Sequence, residues 1–246
     1  IIYNFDGFGY GVFPVDDENI DEIINIKDEV ARAYSYINMY ENTLIGKISP
    51  LIAYGIFSKA IGVEENELIM KLLSNQLSSI FWNFLNIKQQ VAAQAELEEL
   101  LFNKLQTEMP SNIKKTIFGL FESIAYSKTG KEKLYKIWSK EITISNLKLN
   151  EDDYINMASN LALFKHHKID EILFKTRQTI TSVDKQTRFD FLLPSLSNDL
   201  GVRDSFMESL KLQKNREKEA WVQLALANVH HPLRQYSSKK YLKEGL

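Results

Sequence analysis

From Asp16 to the C-terminus, apolar residues recur at spacings of three and four. Leu68, Ile69, Leu72, Leu73, Leu77, Ile80, Phe81, Phe84 and Leu85 form one broad stripe. Leu97, Leu100, Leu101 and Leu105 form another, and Ile113, Ile117, Leu120, Phe121 and Ile124 a third. Tyr154, Ala158, Leu161 and Ala162 repeat the pattern, as do Trp221, Val222, Leu224 and Ala225. This is the period of amphipathic helices, each with one face to bury. Residues 1–15 differ. Ile1 to Phe5 and Tyr10 to Val15 are short aromatic and β-branched runs on either side of Asp6-Gly7-Phe8-Gly9. They predict a hairpin whose turn uses glycine for positive φ. A lone two-stranded hairpin is marginal in water, so this one is expected to be a remnant of a sheet built by preceding residues. The chain begins at Ile1 rather than Met, and from Tyr236 it reads as an unfinished helix. Both features predict a piece of a longer polypeptide.

The breaks between stripes carry helix-start chemistry. Ser49-Pro50 offers a capping oxygen before a proline that the first helical turn tolerates. Thr129-Gly130-Lys131-Glu132 fits a capping box. Asn150-Glu151-Asp152-Asp153 places a cap and three carboxylates at the positive end of a helix dipole. The expectation is about a dozen helices with short joints and no long linker. Short joints fold successive helices back on one another, and a single bundle cannot give so many of them one shared core. An irregular α-solenoid of stacked antiparallel helix pairs, HEAT- or armadillo-like, solves that problem. A globular helical domain is the alternative, since no crisp repeat period is present.

Composition supports the helical reading. Gly and Pro supply 15 of 246 residues, about half the usual share, and three of the ten glycines fall in the first eleven positions. A net charge of −2 and a pI near 6.2 do not suit a nucleic-acid binder, whose pI usually exceeds about 9. The absence of Cys excludes disulfides, thiolate metal sites and a Cys nucleophile. No apolar run approaches the ~18 residues of a membrane span, and no signal peptide is visible. The compartment is left open.

Candidate chemistry is thin. The four histidines are His166, His167, His230 and His231. No H-E-x-x-H motif is present, and on a helix adjacent side chains point about 100° apart. No metal site is therefore expected, and His166-His167 reads as a polar helix end or loop. Ser195 lies in no G-x-S-x-G elbow and reads as part of a helix-to-helix loop. Gly7, Gly9 and Gly11 do not match a dinucleotide fingerprint. The charged stretch from Lys211 to Glu219 reads as a solvated helix start, or as a polar wall facing a carboxylate-bearing ligand. Arg203, Arg216 and Arg234 lie within the last fifty residues and are candidates for bidentate carboxylate binding. Helix-end contacts and inter-helix salt bridges are the alternative for each.

Several blocks resemble the C-terminal part of zinc aminopeptidases of the aminopeptidase N family. Asn4-Phe5-Asp6-Gly7-Phe8-Gly9-Tyr10-Gly11-Val12-Phe13 is similar to the end of that family's β-sandwich. The segment from Ala31 to Asn42 is similar to its early helical region. The most specific blocks resemble a branch common in Bacteroides-like bacteria: Arg188 to Ser197, Arg203-Asp204-Ser205-Phe206, Asn215 to Val222, and His230-His231-Pro232-Leu233-Arg234. The resemblance implies a division at 1–15, a β-sandwich remnant, and 16–246, a helical superhelix domain. That domain would close over the catalytic domain of the same polypeptide and enclose the chamber where peptide substrates bind. The zinc and its H-E-x-x-H helix would belong to the catalytic domain, leaving no cofactor and no catalytic residue in this chain. Met39-Tyr40-Glu41-Asn42 only mimics the family's exopeptidase motif. Basic residues of this domain meet the substrate's distal carboxylate in some relatives, which makes Arg203, Arg216 and Arg234 the residues to examine. A free-standing helical-repeat scaffold that binds another protein is the rival expectation.

Overall fold

Helix-start chemistry sets most of the element boundaries. The computed structural model describes residues 3, 4, 8, 9, 11–15 and 17–242. Twelve α-helices occur among them, with no strand, so the protein is all-α, as the apolar spacing predicts. Asp28 caps α1 (Glu29–Leu44), accepting from the Ala31 N–H. Proline opens α2 (Pro50–Val63), although the Ser49 hydroxyl makes no capping bond. Asn66 caps α3 (Glu67–Ser79) through two backbone N–H groups. Asn86 and Gln89 form a capping box at α4 (Ile87–Gln106), and α5 follows (Ser111–Ile124). The sequence expectation at Thr129 shifts: α6 runs Lys128–Trp138, so Thr129 lies inside the helix. At α7 (Glu151–Leu163) the expected box forms between Asn150 and Asp153. Then come α8 (Ile169–Thr179), α9 (Val183–Leu196), α10 (Leu200–Ser209), α11 (Glu219–Val229) and the short α12 (Gln235–Ser238).

The described residues separate into two compact units, 1–127 with 144–148, and 128–143 with 149–246. No Gly- or Pro-rich linker marks this division. In the first unit, α2 packs on α1, α3 and α4, while α5 packs on α3 and α4. Tyr36, Phe57, Met70, Leu73, Phe81, Phe118 and Phe121 are fully enclosed there. The α3 stripe continues through a π-turn at Ile80–Phe84. The carbonyls that this turn frees at Phe81 and Leu85 accept from the buried Gln90 carboxamide, at 2.8 and 3.1 Å. In the second unit, α7 packs on α6, α8 and α9, while α9 also packs on α8, α10 and α11. One core there joins Leu192, Phe206, Met207, Leu210, Ala225, Val229 and Tyr241. Connections of three to five residues fold α3 back on α2, α5 on α4, α8 on α7 and α10 on α9, the helix-pair arrangement that short joints impose.

At the N-terminus the expected hairpin is not seen among the described residues. Ile1, Ile2, Phe5, Asp6, Gly7 and Tyr10 lie outside them. Side-chain amides take the place of a strand partner. The Asn4 carboxamide bridges the N–H and C=O of Gly9 at 2.6 and 3.1 Å. A Cβ at Gly9 would sit 2.9 Å from the Asn4 oxygen, so this clamp requires glycine. Further along, the Phe13 N–H donates to Asn38 Oδ1 at 2.8 Å, and its carbonyl accepts from Asn38 and Asn42 at 2.9 and 2.8 Å.

Candidate functional site

The three arginines singled out in the sequence divide. Arg203, on α10, and Arg234, in the turn Pro232–Arg234, are buried at 6% and 5% exposure. A helix leaves its last four carbonyls without intrahelical partners, and the end of α9 is served by these two guanidiniums. Arg234 donates to the carbonyls of Ser195 (2.6 Å), Leu196 (2.7 Å), Ser197 (3.2 Å) and Asn228 (3.3 Å). Arg203 donates to the Ser197 carbonyl at 2.6 Å. Burial, and after it the nearby Arg203, lowers the Arg234 pKa to about 10, so the side chain stays charged at neutral pH. Arg216 is exposed, beyond the turn Gln213–Asn215, and does not join the pair. Ser195 is enclosed, its hydroxyl donating to the Leu192 carbonyl at 2.6 Å. Around the same junction Phe191 meets Phe206 and Trp221 edge-on or tilted, with ring centroids 5.5 and 5.9 Å apart.

The second cluster was not visible in the sequence. It forms where α7 ends. Lys165 N–H bonds to the Ala162 carbonyl and His166 N–H to the Leu161 carbonyl, which is the paired bonding of a Schellman turn. That turn needs a left-handed residue. Here it is Lys165, at φ 54°, where glycine is usual; a side chain in this region costs roughly 1 kcal/mol or more. Lys131, one turn into α6, donates to the Phe164 carbonyl at 3.2 Å.

The strained turn directs His166 inward. Its ring is 2% exposed and stacks on Tyr135 at 4.8 Å with 16° between planes. Nδ1 accepts from the Lys168 N–H at 3.2 Å. Nε2 lies 3.2 Å from Glu132 Oε1 without completing a hydrogen bond. Burial holds this imidazole below its usual range, with the Glu132 charge opposing. His167 is exposed, tilted against His166 at 4.4 Å, with Nδ1 3.4 Å from the same Glu132 oxygen. Lys168 lies over the Tyr135 ring and donates to its hydroxyl at 3.1 Å. The sequence argument against convergence assumed helical geometry. The two histidines instead occupy the joint 164–168 between α7 and α8, where adjacent side chains are not held 100° apart, and both approach one carboxylate.

No helix among the described residues is long and apolar enough to cross a membrane. Comparison with protein families and with curated proteins finds no match to this chain.

Proposed function

We propose that this chain is the non-catalytic helical domain of a zinc-dependent aminopeptidase, whose catalytic domain lies elsewhere in the same polypeptide. In this reading it walls the chamber that admits peptides, and the parent enzyme removes their N-terminal residues through a metal-activated water. The observation that carries the proposal is the use made of the resembling blocks. Arg188 to Ser197, Arg203 to Phe206, Asn215 to Val222 and His230 to Arg234 are separated in sequence. Each supplies a contact around the end of α9: the Ser195–Ser197 carbonyls, Arg203 and Phe206, Trp221, and Arg234. Family-like residues spent on one packing junction suit a shaped helical wall. The exposed apolar side chains Leu44, Ile45, Leu51 and Ile52, at the α1–α2 joint, offer a surface for a neighbouring domain.

The coding sequence that precedes Ile1 is the first test. An H-E-x-x-H motif within a few hundred residues upstream supports the proposal, and a start codon near Ile1 supports a free-standing scaffold. The second test is turnover. The purified chain supplied with zinc is expected to release no N-terminal residue from fluorogenic peptides. Activity that survives rigorous purification overturns the division of labour.

A further inference from the structure

We propose that Glu132, His166 and His167 form a binding site for one divalent transition-metal ion of the zinc class. The inference does not rest on the reading above. The ligand chemistry is two imidazoles and one carboxylate. That set suits zinc and its transition-metal neighbours, whereas calcium and magnesium prefer all-oxygen shells. The spacing also fits. Zinc bonds nitrogen and carboxylate oxygen at about 2.1 Å, so ligand atoms at a tetrahedral angle lie about 3.4 Å apart. Glu132 Oε1 lies 3.2 Å from His166 Nε2 and 3.4 Å from His167 Nδ1, and all three ligand atoms fall within 4.8 Å of one another. The two nitrogens have to draw closer, and His167, with 64% of its side chain exposed, supplies that movement.

The independent observation is His166 Nε2. It is enclosed and lies 3.2 Å from the Glu132 carboxylate oxygen, at an angle that completes no good hydrogen bond. Coordination to an ion held by Glu132 would satisfy this poorly paired buried nitrogen. The ring is pre-oriented by its stack on Tyr135, and Glu132 is fixed on α6. Three protein ligands leave a fourth position for water, on the exposed His167 side.

Two features weaken binding. A ligating Nε2 leaves the ring proton on Nδ1, so the Lys168 N–H must give up its 3.2 Å bond to that atom. Lys131 and Lys168 also add positive charge beside the site. The ion is therefore expected to exchange, not to be locked in as a structural zinc, and the Lys168 amide should report its arrival.

The test uses the untagged chain, stripped with chelator and titrated with zinc sulfate. Calorimetry is expected to show one ion bound per chain at micromolar concentration, with calcium chloride giving none. In amide NMR spectra the Lys168 signal should move with the zinc titration. The exposed-side variants H167A and E132Q are each expected to weaken zinc at least tenfold while keeping the parental circular dichroism. H230Q should bind as the parent does. Unchanged zinc affinity in folded H167A and E132Q overturns the proposal. So does zinc binding no tighter than calcium, or a Lys168 signal that stays put through saturation.

Discussion

Replacing Arg234 with Met keeps the aliphatic stem and removes every guanidinium donor. Arg234 is 5% exposed and reaches four carbonyls, two of them at 2.6 and 2.7 Å. Those two are charge-assisted, and such bonds contribute about 1.5–3 kcal/mol each. The Ser195 and Leu196 carbonyls at the end of α9 would be left without their donor, and water does not reach them readily. The expected loss is therefore about 3–5 kcal/mol. At roughly 2–4 °C per kcal/mol for chains of this size, the midpoint should fall by about 10 °C. Arg203→Met removes one good bond, at 2.6 Å to Ser197, and should cost about 1–3 kcal/mol. Both arginines share the Ser197 carbonyl, so the double variant should depart from additivity by about 0.5 kcal/mol or more. Urea unfolding followed by tryptophan fluorescence measures all three, with Trp138 and Trp221 reporting the second unit. A loss below about 1 kcal/mol for Arg234→Met would refute the capping role and return this side chain to the candidates for ligand contact.

Other expectations follow from the same geometry. His231 is held neutral by burial and by the positive charge of Arg234, its pKa lowered to about 4. Its Nδ1 accepts from the Leu233 N–H. The neutral ring is favoured in the folded chain, so stability is complete above the unfolded value near 6.5 and falls as pH drops toward 4. The loss between pH 7 and pH 5 should be about 2 kcal/mol, and His231→Gln should lack that part of the slope in matched urea titrations. Glu64 behaves with the opposite sign. Burial opposes its ionisation, but Arg32 at 2.8 and 3.0 Å and the N–H groups of Glu65 and Asn66 more than offset this and lower its pKa. Its contribution is present above the unfolded value of 4.5 and is lost on acidification through the lowered value. Glu64→Gln should flatten the acid limb of the stability curve, and an unchanged limb would contradict the pairing. Lys165→Gly relieves a left-handed side chain at the end of α7 and should raise stability by about 1 kcal/mol. A thermal midpoint that falls instead would mean that the lysine side chain makes a contact of greater value.

How much was legible depends on the range of the interaction. The α5 stripe from Ile113 to Ile124 and the box at Asn150–Asp153 need only neighbours three or four residues away, and both appear as the pattern predicts. The stripe from Leu68 to Leu85 was legible as apolar but not as geometry. A period of three and four runs straight through the π-turn at Ile80–Phe84, where the Leu85 N–H reaches the Ile80 carbonyl. What made that turn tolerable is Gln90, a polar side chain that a binary pattern places at the surface. Arg203 and Arg234 were conspicuous for charge, yet their partners are backbone carbonyls, which every residue possesses and no sequence pattern marks. Ser195 and Arg234 are 39 positions apart. The metal candidate was hidden for a different reason. Its turn is built on Lys165 where the expected signal is glycine, so His166-His167 reads as a polar helix end or loop. Only the left-handed φ at Lys165 converts two adjacent histidines from opposed helix neighbours into a pair facing Glu132, 34 positions earlier. Departures from local preference, at the π-turn and at Lys165, are thus where the chemistry escaped the sequence. They are also where substitution toward the preferred residue tests the geometry: Lys165→Gly keeps the left-handed φ, so it should strengthen the fold and leave the zinc titration unchanged.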